Sequence, residues 1–320
     1  MNTEILVGNL TNPTLLFFAL GLLAVVVKSD VKIPEAISKF LSLYLLFAIG
    51  FKGGVELRHS GITSEIFSTV FVSISLSALV AFYSFFILKR KLSVSDAGAV
   101  AACYGSVSAV TFIVGASYLV SENIAFGGHM VACMALMEIP AIIVGVMLIR
   151  KFDQEGSRNK RFLYITHESL TNPSVFVLLG SLAVGLLTNP LQAEGIKPFT
   201  NDLFKGFLAM FMLEMGIMAA QGFRSFIKNG WFVTLFALIM PLFNGVVAVF
   251  VTGLTDLSEG NRFLLVLLTA SASHIAVPAA MRIVVPKADP GIYVSMALVI
   301  TFPFVLIVGI PLFRLMIQYL

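Results

Sequence analysis

The chain has 320 residues, of which 58% are hydrophobic and 12% charged, and its mean hydropathy is +0.97. A soluble domain carries about 25% charged residues, so a soluble enzyme and a nucleic-acid-binding module are both excluded. The net charge of +4 therefore matters only through where the basic residues lie in an all-α protein embedded in a lipid membrane.

A membrane-crossing helix needs about 20 mostly apolar residues. Hydropathy predicts ten, over 13–29, 33–51, 63–88, 96–120, 123–149, 172–189, 201–222, 230–254, 261–283 and 291–318. The acidic start Met1-Asn2-Thr3-Glu4 argues that the first is a retained span rather than a cleaved signal. Cys103 and Cys133 lie in spans four and five without metal-ligand spacing, as buried thiols do. Spans four and nine are weaker in hydropathy, being rich in Gly, Ala and Ser. Each carries a Ser-x-Ser step near its centre: Tyr104-Gly105-Ser106-Val107-Ser108 in the fourth and Thr269-Ala270-Ser271-Ala272-Ser273-His274 in the ninth.

Charge placement sets the orientation. With ten spans, fourteen Lys and Arg fall in loops opposite the termini, among them Lys89-Arg90-Lys91 and the run from Arg150 to Arg161. Five (Lys52, Arg58, Lys197, Arg262 and Arg314) fall on the terminal side. The positive-inside rule then places both termini outside the cytoplasm, in the cell (inner) membrane.

Sequence features recur in order along the chain. Thr11-Asn12-Pro13-Thr14 returns as Thr171-Asn172-Pro173-Ser174, and Gly21-Leu22-Leu23-Ala24-Val25 as Gly180-Ser181-Leu182-Ala183-Val184. Gly50 returns as Gly216, Ser106 and Ser108 as Ser271 and Ser273, and Pro140 as Pro303, all at offsets of 159 to 166. The predicted units are residues 1–155 and 156–320. Each has five spans, an odd number, so the second enters from the opposite side. Inverted repeats of this kind underlie many secondary transporters, with substrate held at matched helix breaks near the midplane.

A broken helix at that depth is tolerated where its free ends face protein, water or a ligand. Its N-terminal halves favour an anion, its free carbonyls favour Na⁺, and serine hydroxyls serve either. One Ser-x-Ser alone is explained by bonding back to the preceding turn or by close helix crossing; two at matched depth point to a site. Ionisable groups inside spans face cavities or pathways. Glu138, beside Pro140, is the strongest candidate for coupling chemistry, followed by Glu214 and His274. His129 fits a packing role, and Asp202 and Lys205, three apart, a simple ion pair. The chain contains no P-loop, HExxH or GxSxG, so it is read as neither an ATP-driven pump nor an enzyme.

The run from Ser271 through Pro278 to Arg282, followed by Pro286-Lys287-Ala288-Asp289-Pro290, resembles the second-half signature of the cyanobacterial-type sodium-dependent bicarbonate transporters (SbtA). Further likeness lies in Lys32-Ile33-Pro34-Glu35-Ala36-Ile37, Gly50-Phe51-Lys52-Gly53-Gly54, Tyr104 to Ser108, Glu138-Ile139-Pro140-Ala141 and Thr301-Phe302-Pro303-Phe304. The sequence departs from that pattern at Val110, where a hydroxyl residue is expected, and at Glu138, where aspartate is expected.

The resemblance implies two inverted five-helix repeats, a gate domain (spans 1, 2, 6 and 7), a core domain (spans 3–5 and 8–10), and broken helices 4 and 9 that cross at the substrate site. It implies a substrate site at Gly105, Ser106, Val107, Ser108, Ala270, Ser271, Ala272 and Ser273, with Na⁺ taken by Ser108, Thr111, Glu138, Ser271 and Ser273. It also implies bicarbonate or a related small anion as substrate, a homotrimer, and a PII-like regulator on the cytoplasmic face. The expected function is Na⁺-coupled bicarbonate import by alternating access. A Na⁺- or H⁺-coupled symporter of another small anion or organic acid, and an anion-binding membrane sensor, remain the alternatives.

Overall fold

The structure is a computed structural model, and the residues it describes are 13–60, 64–153, 173–226 and 230–319. Among them there is no strand. The helices are α1 (Pro13–Val26), α2 (Glu35–Ser60), α3 (Ser64–Leu88), α4 (Val94–Gly105), α5 (Ala109–Ser121) and α6 (His129–Phe152). They continue as α7 (Pro173–Leu187), α8 (Pro190–Lys197), α9 (Phe204–Phe226), α10 (Trp231–Gly253), α11 (Glu259–Ala270), α12 (Ala276–Val284) and α13 (Pro290–Tyr319). Among the described residues, seven stretches are long and apolar enough to cross a membrane, with the α4–α5 pair taken as one of them. The apolar helices α1 and α7 are shorter. The predicted boundary at 155/156, the Thr11-Asn12 and Thr171-Asn172 pairs, and the basic run as far as Arg161 lie outside the described residues.

Local chemistry explains where several elements depart from their predicted limits. The second segment was expected to end at 51, where apolar residues give way to Lys52, Glu56 and Arg58. The helix runs on to Ser60 because its polar end is used: Arg58 Nη1 donates to Leu187 O at 3.0 Å and Thr188 O at 2.9 Å, capping the carbonyl end of α7. A π-helical turn, Pro198–Asp202, precedes α9. It leaves Asp202 outside that helix, and the expected Asp202–Lys205 ion pair does not form; the pairs found include Glu35–Lys39 and Glu194–Lys197. Pro140 lies within α6 without interrupting it. Two π-helical stretches in α13, Met296–Thr301 and Val305–Gly309, flank Phe302–Phe304. Proline removes a backbone donor there, and π-bulges absorb such gaps.

Helices pack across the chain in two exchanged pairs, α1 on α9 and α2 on α7. Glycine makes both crossings possible. A Cβ on Gly21 would meet Leu213 O, and would stand 3.0 Å from Gly216 Cα; one on Gly216 would meet Phe18 O. A Cβ on Gly54 would meet Leu182 O, and one on Gly185 would meet Phe51 O. Elsewhere α3 packs on α4 and α6, while α10 packs on α11.

Two side-chain bonds tie loop to helix across the chain in a matching way. Asp96 Oδ1, in the first turn of α4, accepts from Asp289 N at 2.7 Å. Asn261 Oδ1, in the first turn of α11, accepts from Gly127 N at 2.7 Å.

The buried apolar residues form two clusters. One gathers α2, α5, α9, α11 and the end of α13; the other gathers α4, the end of α6, α10, α12 and the start of α13. The Ser-x-Ser segments lie where the two clusters meet, with Val107 in the first and Ala272 in the second. Large apolar side chains on α3 point outward, Phe67 and Phe71 being 70% and 73% exposed. A face of that kind suits contact with lipid.

Candidate functional site

Both predicted breaks are present, and their backbones are alike. Helix α4 stops at Gly105 and Ser106 is extended (φ −85°, ψ −175°); α11 stops at Ala270 and Ser271 is extended (φ −84°, ψ 176°). The second serine of each step accepts from a first-turn N–H of the helix that follows, Ser108 as the N-cap of α5 and Ser273 from two residues ahead of Ile275, the N-cap of α12. Ser108 Oγ accepts from Thr111 N at 3.2 Å, and Ser273 Oγ accepts from Val277 N at 3.2 Å. Serine is favoured at that position because its short hydroxyl satisfies one of the orphan N–H groups of the first turn. A chain of alternating small residue and serine can thus end one half-helix and start the next without leaving the backbone unpaired at depth.

The two breaks touch. Ser273 N donates to Cys103 O at 2.8 Å, which satisfies a carbonyl freed at the end of α4. Ser108 N donates to Ser271 Oγ at 2.9 Å, and Ser271 Oγ in turn donates to Leu268 O at 2.7 Å. Residues 163 positions apart in sequence are thereby locked together by groups buried to 1–2% exposure.

A cavity opens beside this crossing. Val107, Ser108, Ala109 and Val110 line it from the first break, and Ser273, His274, Ile275 and Ala276 from the second. Glu138 of α6 faces it, and Ser42, Leu45 and Leu46 of α2 with Phe211 of α9 close the opposite wall. Its interior is small, ≈ 30 Å³, about the share of one water. The starts of α5 and α12 both border it, and helix N-termini carry partial positive charge from unpaired N–H groups. Behind the cavity, Ser106 Oγ and Thr111 Oγ1 are buried hydroxyls with no hydrogen-bond partner. Buried polar groups normally find one.

The predicted residues separate into distinct roles. Val107, Ser108, Ser273, Glu138 and His274 meet at the cavity. His274 also packs its ring on Phe302, with centroids 5.4 Å apart. Ser271 bridges the breaks from behind. Gly105 packs on α3, where a Cβ would lie 2.7 Å from Ser77 O and 2.9 Å from Ala81 N. Ala270 and Ala272 are buried in packing. Glu214 does not line the cavity; it sits one turn beyond Phe211 on α9, and its Oε2 is buried without a hydrogen-bond partner. His129 lies at the start of α6, away from the crossing. Beside Pro140, Ser77 Oγ donates to Met137 O at 2.5 Å, next to Leu136, whose carbonyl has lost its helical donor.

Sequence reasoning missed the opposite wall: Ser42, Leu45, Leu46 and Phe211. Its residues lie on apolar helix faces that read like lipid-facing ones. Only the lone Ser42 in an apolar run distinguishes that face.

The cavity contains no adjacent nucleophile–base pair, and no group of three His, Cys, Asp or Glu that could hold a metal ion occurs among the described residues. What it presents is hydroxyls, half-helix ends, one carboxylate and the His274 imidazole, groups that can hold a small ion. No curated protein matches the chain. A family match does cover nearly all of it, and it agrees with a multi-span membrane protein built around paired helix breaks: over residues 13–318 the chain belongs to the Na⁺-dependent bicarbonate transporter superfamily.

Proposed function

We propose that the protein imports bicarbonate by symport with Na⁺, loading both at the crossing of the two breaks and moving them by alternating access. The observation that carries this reading is the reciprocal locking of the breaks, Ser273 N on Cys103 O and Ser108 N on Ser271 Oγ, beside a cavity bordered by two helix N-termini. An anion gains there from the N-terminal charge of α5 and α12. Na⁺ takes oxygen ligands, and Ser106 Oγ and Thr111 Oγ1 are two buried oxygens without partners. Glu138, 8% exposed, lines the cavity wall, and its carboxylate would supply negative charge when a cation shares the space. Co-loading a cation lowers the cost of burying the anion, since an unpaired charge in a low-dielectric site is strongly penalised.

Two inverted five-helix repeats, residues 1–155 and 156–320, supply the moving parts. The exchanged packing of α1 on α9 and α2 on α7 supports the inversion. So do the twin bonds Asp96–Asp289 and Asn261–Gly127, which correspond at offsets of 165 and 162. In this reading α1, α2, α7 and α9 form the gate, and the broken helices ride in the core. The wall of Ser42, Leu45, Leu46 and Phe211 is the gate's face against the site, and sliding of the core along it exposes the cavity to each side in turn.

The test is uptake of labelled bicarbonate by proteoliposomes, with and without an inward Na⁺ gradient. Concentrative uptake is expected with the gradient only. Uptake indifferent to Na⁺ would remove the coupling, and binding without accumulation would make the protein a sensor. Val110 lining the cavity where a hydroxyl residue was expected favours one second reading, a symporter of another small anion or organic acid. A competition panel separates the two: bicarbonate should displace label more effectively than nitrate, formate or acetate.

A further inference from the structure

A second cavity of ≈ 310 Å³ lies toward the terminal side, lined by Ile49, Lys52 and Glu56 of α2, Val120 of α5, Phe126 of the following loop and Val131 of α6, among others. It is stacked on the central cavity. Three helices line both, and on each the step is the same: Leu45 to Lys52 on α2, Ile113 to Val120 on α5, and Glu138 back to Val131 on α6. Seven residues are two helical turns, about 10 Å. Between the cavities α2 presents Leu45, Leu46 and Ile49, all less than 10% exposed. The partition is therefore about one turn of apolar side chain thick.

Lys52 is the cation of this cavity. It is half-buried, and its Nζ stands 4.7 Å from the centre of the Phe204 ring on α9. It takes part in none of the ion pairs found among the described residues. Asp202 and Lys205 act on it from the α9 side, with opposing effects. Glu56, four residues on, lines the same cavity. An i, i+4 lysine and glutamate commonly pair on a helix; here Lys52 is turned to α9 instead. An ammonium in none of these ion pairs, in a space with room for a hydrated anion, attracts anions electrostatically. Glu56 tempers that attraction, which suits a site that must also release.

We infer that this cavity is an outer vestibule in which Lys52 holds the incoming anion before it crosses to the central site. The inference rests on the anion-symport reading above. The cavity faces the side that the charge count makes extracytoplasmic.

The experiment compares wild type, Lys52→Gln and Lys52→Arg in Na⁺-driven bicarbonate uptake at low and high ionic strength. Lys52→Gln is expected to raise KM roughly 10-fold with kcat within about twofold, Lys52→Arg to stay near wild type, and the difference to shrink at high salt as screening grows. A Lys52→Cys protein should also react with a membrane-impermeant thiol reagent added outside; the two native cysteines are buried. Unchanged KM in Lys52→Gln, a loss confined to kcat, or no labelling from outside overturns the inference and leaves the symport reading standing. Wild-type protein that moves no bicarbonate overturns that reading, and this inference with it.

Discussion

Replacing Ser271 by alanine is expected to cut Na⁺-driven uptake roughly 10- to 100-fold in protein that still folds. Ser271 Oγ is the acceptor for Ser108 N at 2.9 Å and donates to Leu268 O at 2.7 Å. It is the side chain by which one break holds the other. Alanine leaves the Ser108 N–H facing a methyl group at 1–2% exposure. An unsatisfied buried donor costs about 1–3 kcal/mol, and the site can avoid that cost only by shifting the start of α5. Since Ser108 also caps α5 through Thr111 N, the shift moves a cavity wall. Ser271→Thr keeps the hydroxyl and should recover much of the rate. Initial uptake rates, read beside thermal stability in detergent, separate loss of transport from loss of fold. Wild-type transport by Ser271→Ala would show that the crossing is not the site.

Glu138→Gln is expected to raise the Na⁺ concentration needed for half-maximal uptake by at least about 10-fold. The carboxyl group is 8% exposed and lines the cavity. A charge placed there is costly unless a cation shares the space. Opposite charges 4 Å apart attract by about 4 kcal/mol at an effective dielectric of 20, so even a fraction of that interaction exceeds a factor of ten. Glutamine keeps the volume and the hydrogen-bonding shape but removes the charge. If the Na⁺ requirement is unchanged, the side chain is a neutral helix-packing donor and the cation is held elsewhere.

The positions of the breaks were readable because nothing else in two apolar segments looks like Ser-x-Ser. Their chemistry was only half readable. Sequence says that Ser106 and Ser271, or Ser108 and Ser273, are polar at depth; it does not say that the second serine of each pair satisfies a first-turn N–H while Ser271 bridges. Gly105, expected among the substrate residues, makes a close contact with α3 that sequence did not foretell, because a missing Cβ signals proximity without naming the neighbour. Glu138 and Glu214 were similar in sequence, each an acid in an apolar run. The fold turns one to the cavity and leaves the other one turn away from its lining. The gate-side wall was not readable at all, since Leu45, Leu46 and Phe211 differ from lipid-facing residues only in what the tertiary fold sets against them. Lys52 counted at first as one of five basic residues on the terminal side. Its place two turns from the central cavity emerges only when α2, α5 and α6 are seen in register.

Coupling is reciprocal: if Na⁺ drives the anion, the anion must drive Na⁺. The most direct measurement is therefore accumulation of radioactive Na⁺ in proteoliposomes with equal Na⁺ on both sides and bicarbonate only outside, at alkaline pH so that little CO₂ crosses the bilayer. Na⁺ should rise inside above its external concentration in wild type, and not in Ser271→Ala. Na⁺ that stays at equilibrium in wild type while labelled bicarbonate enters would contradict symport at the crossing.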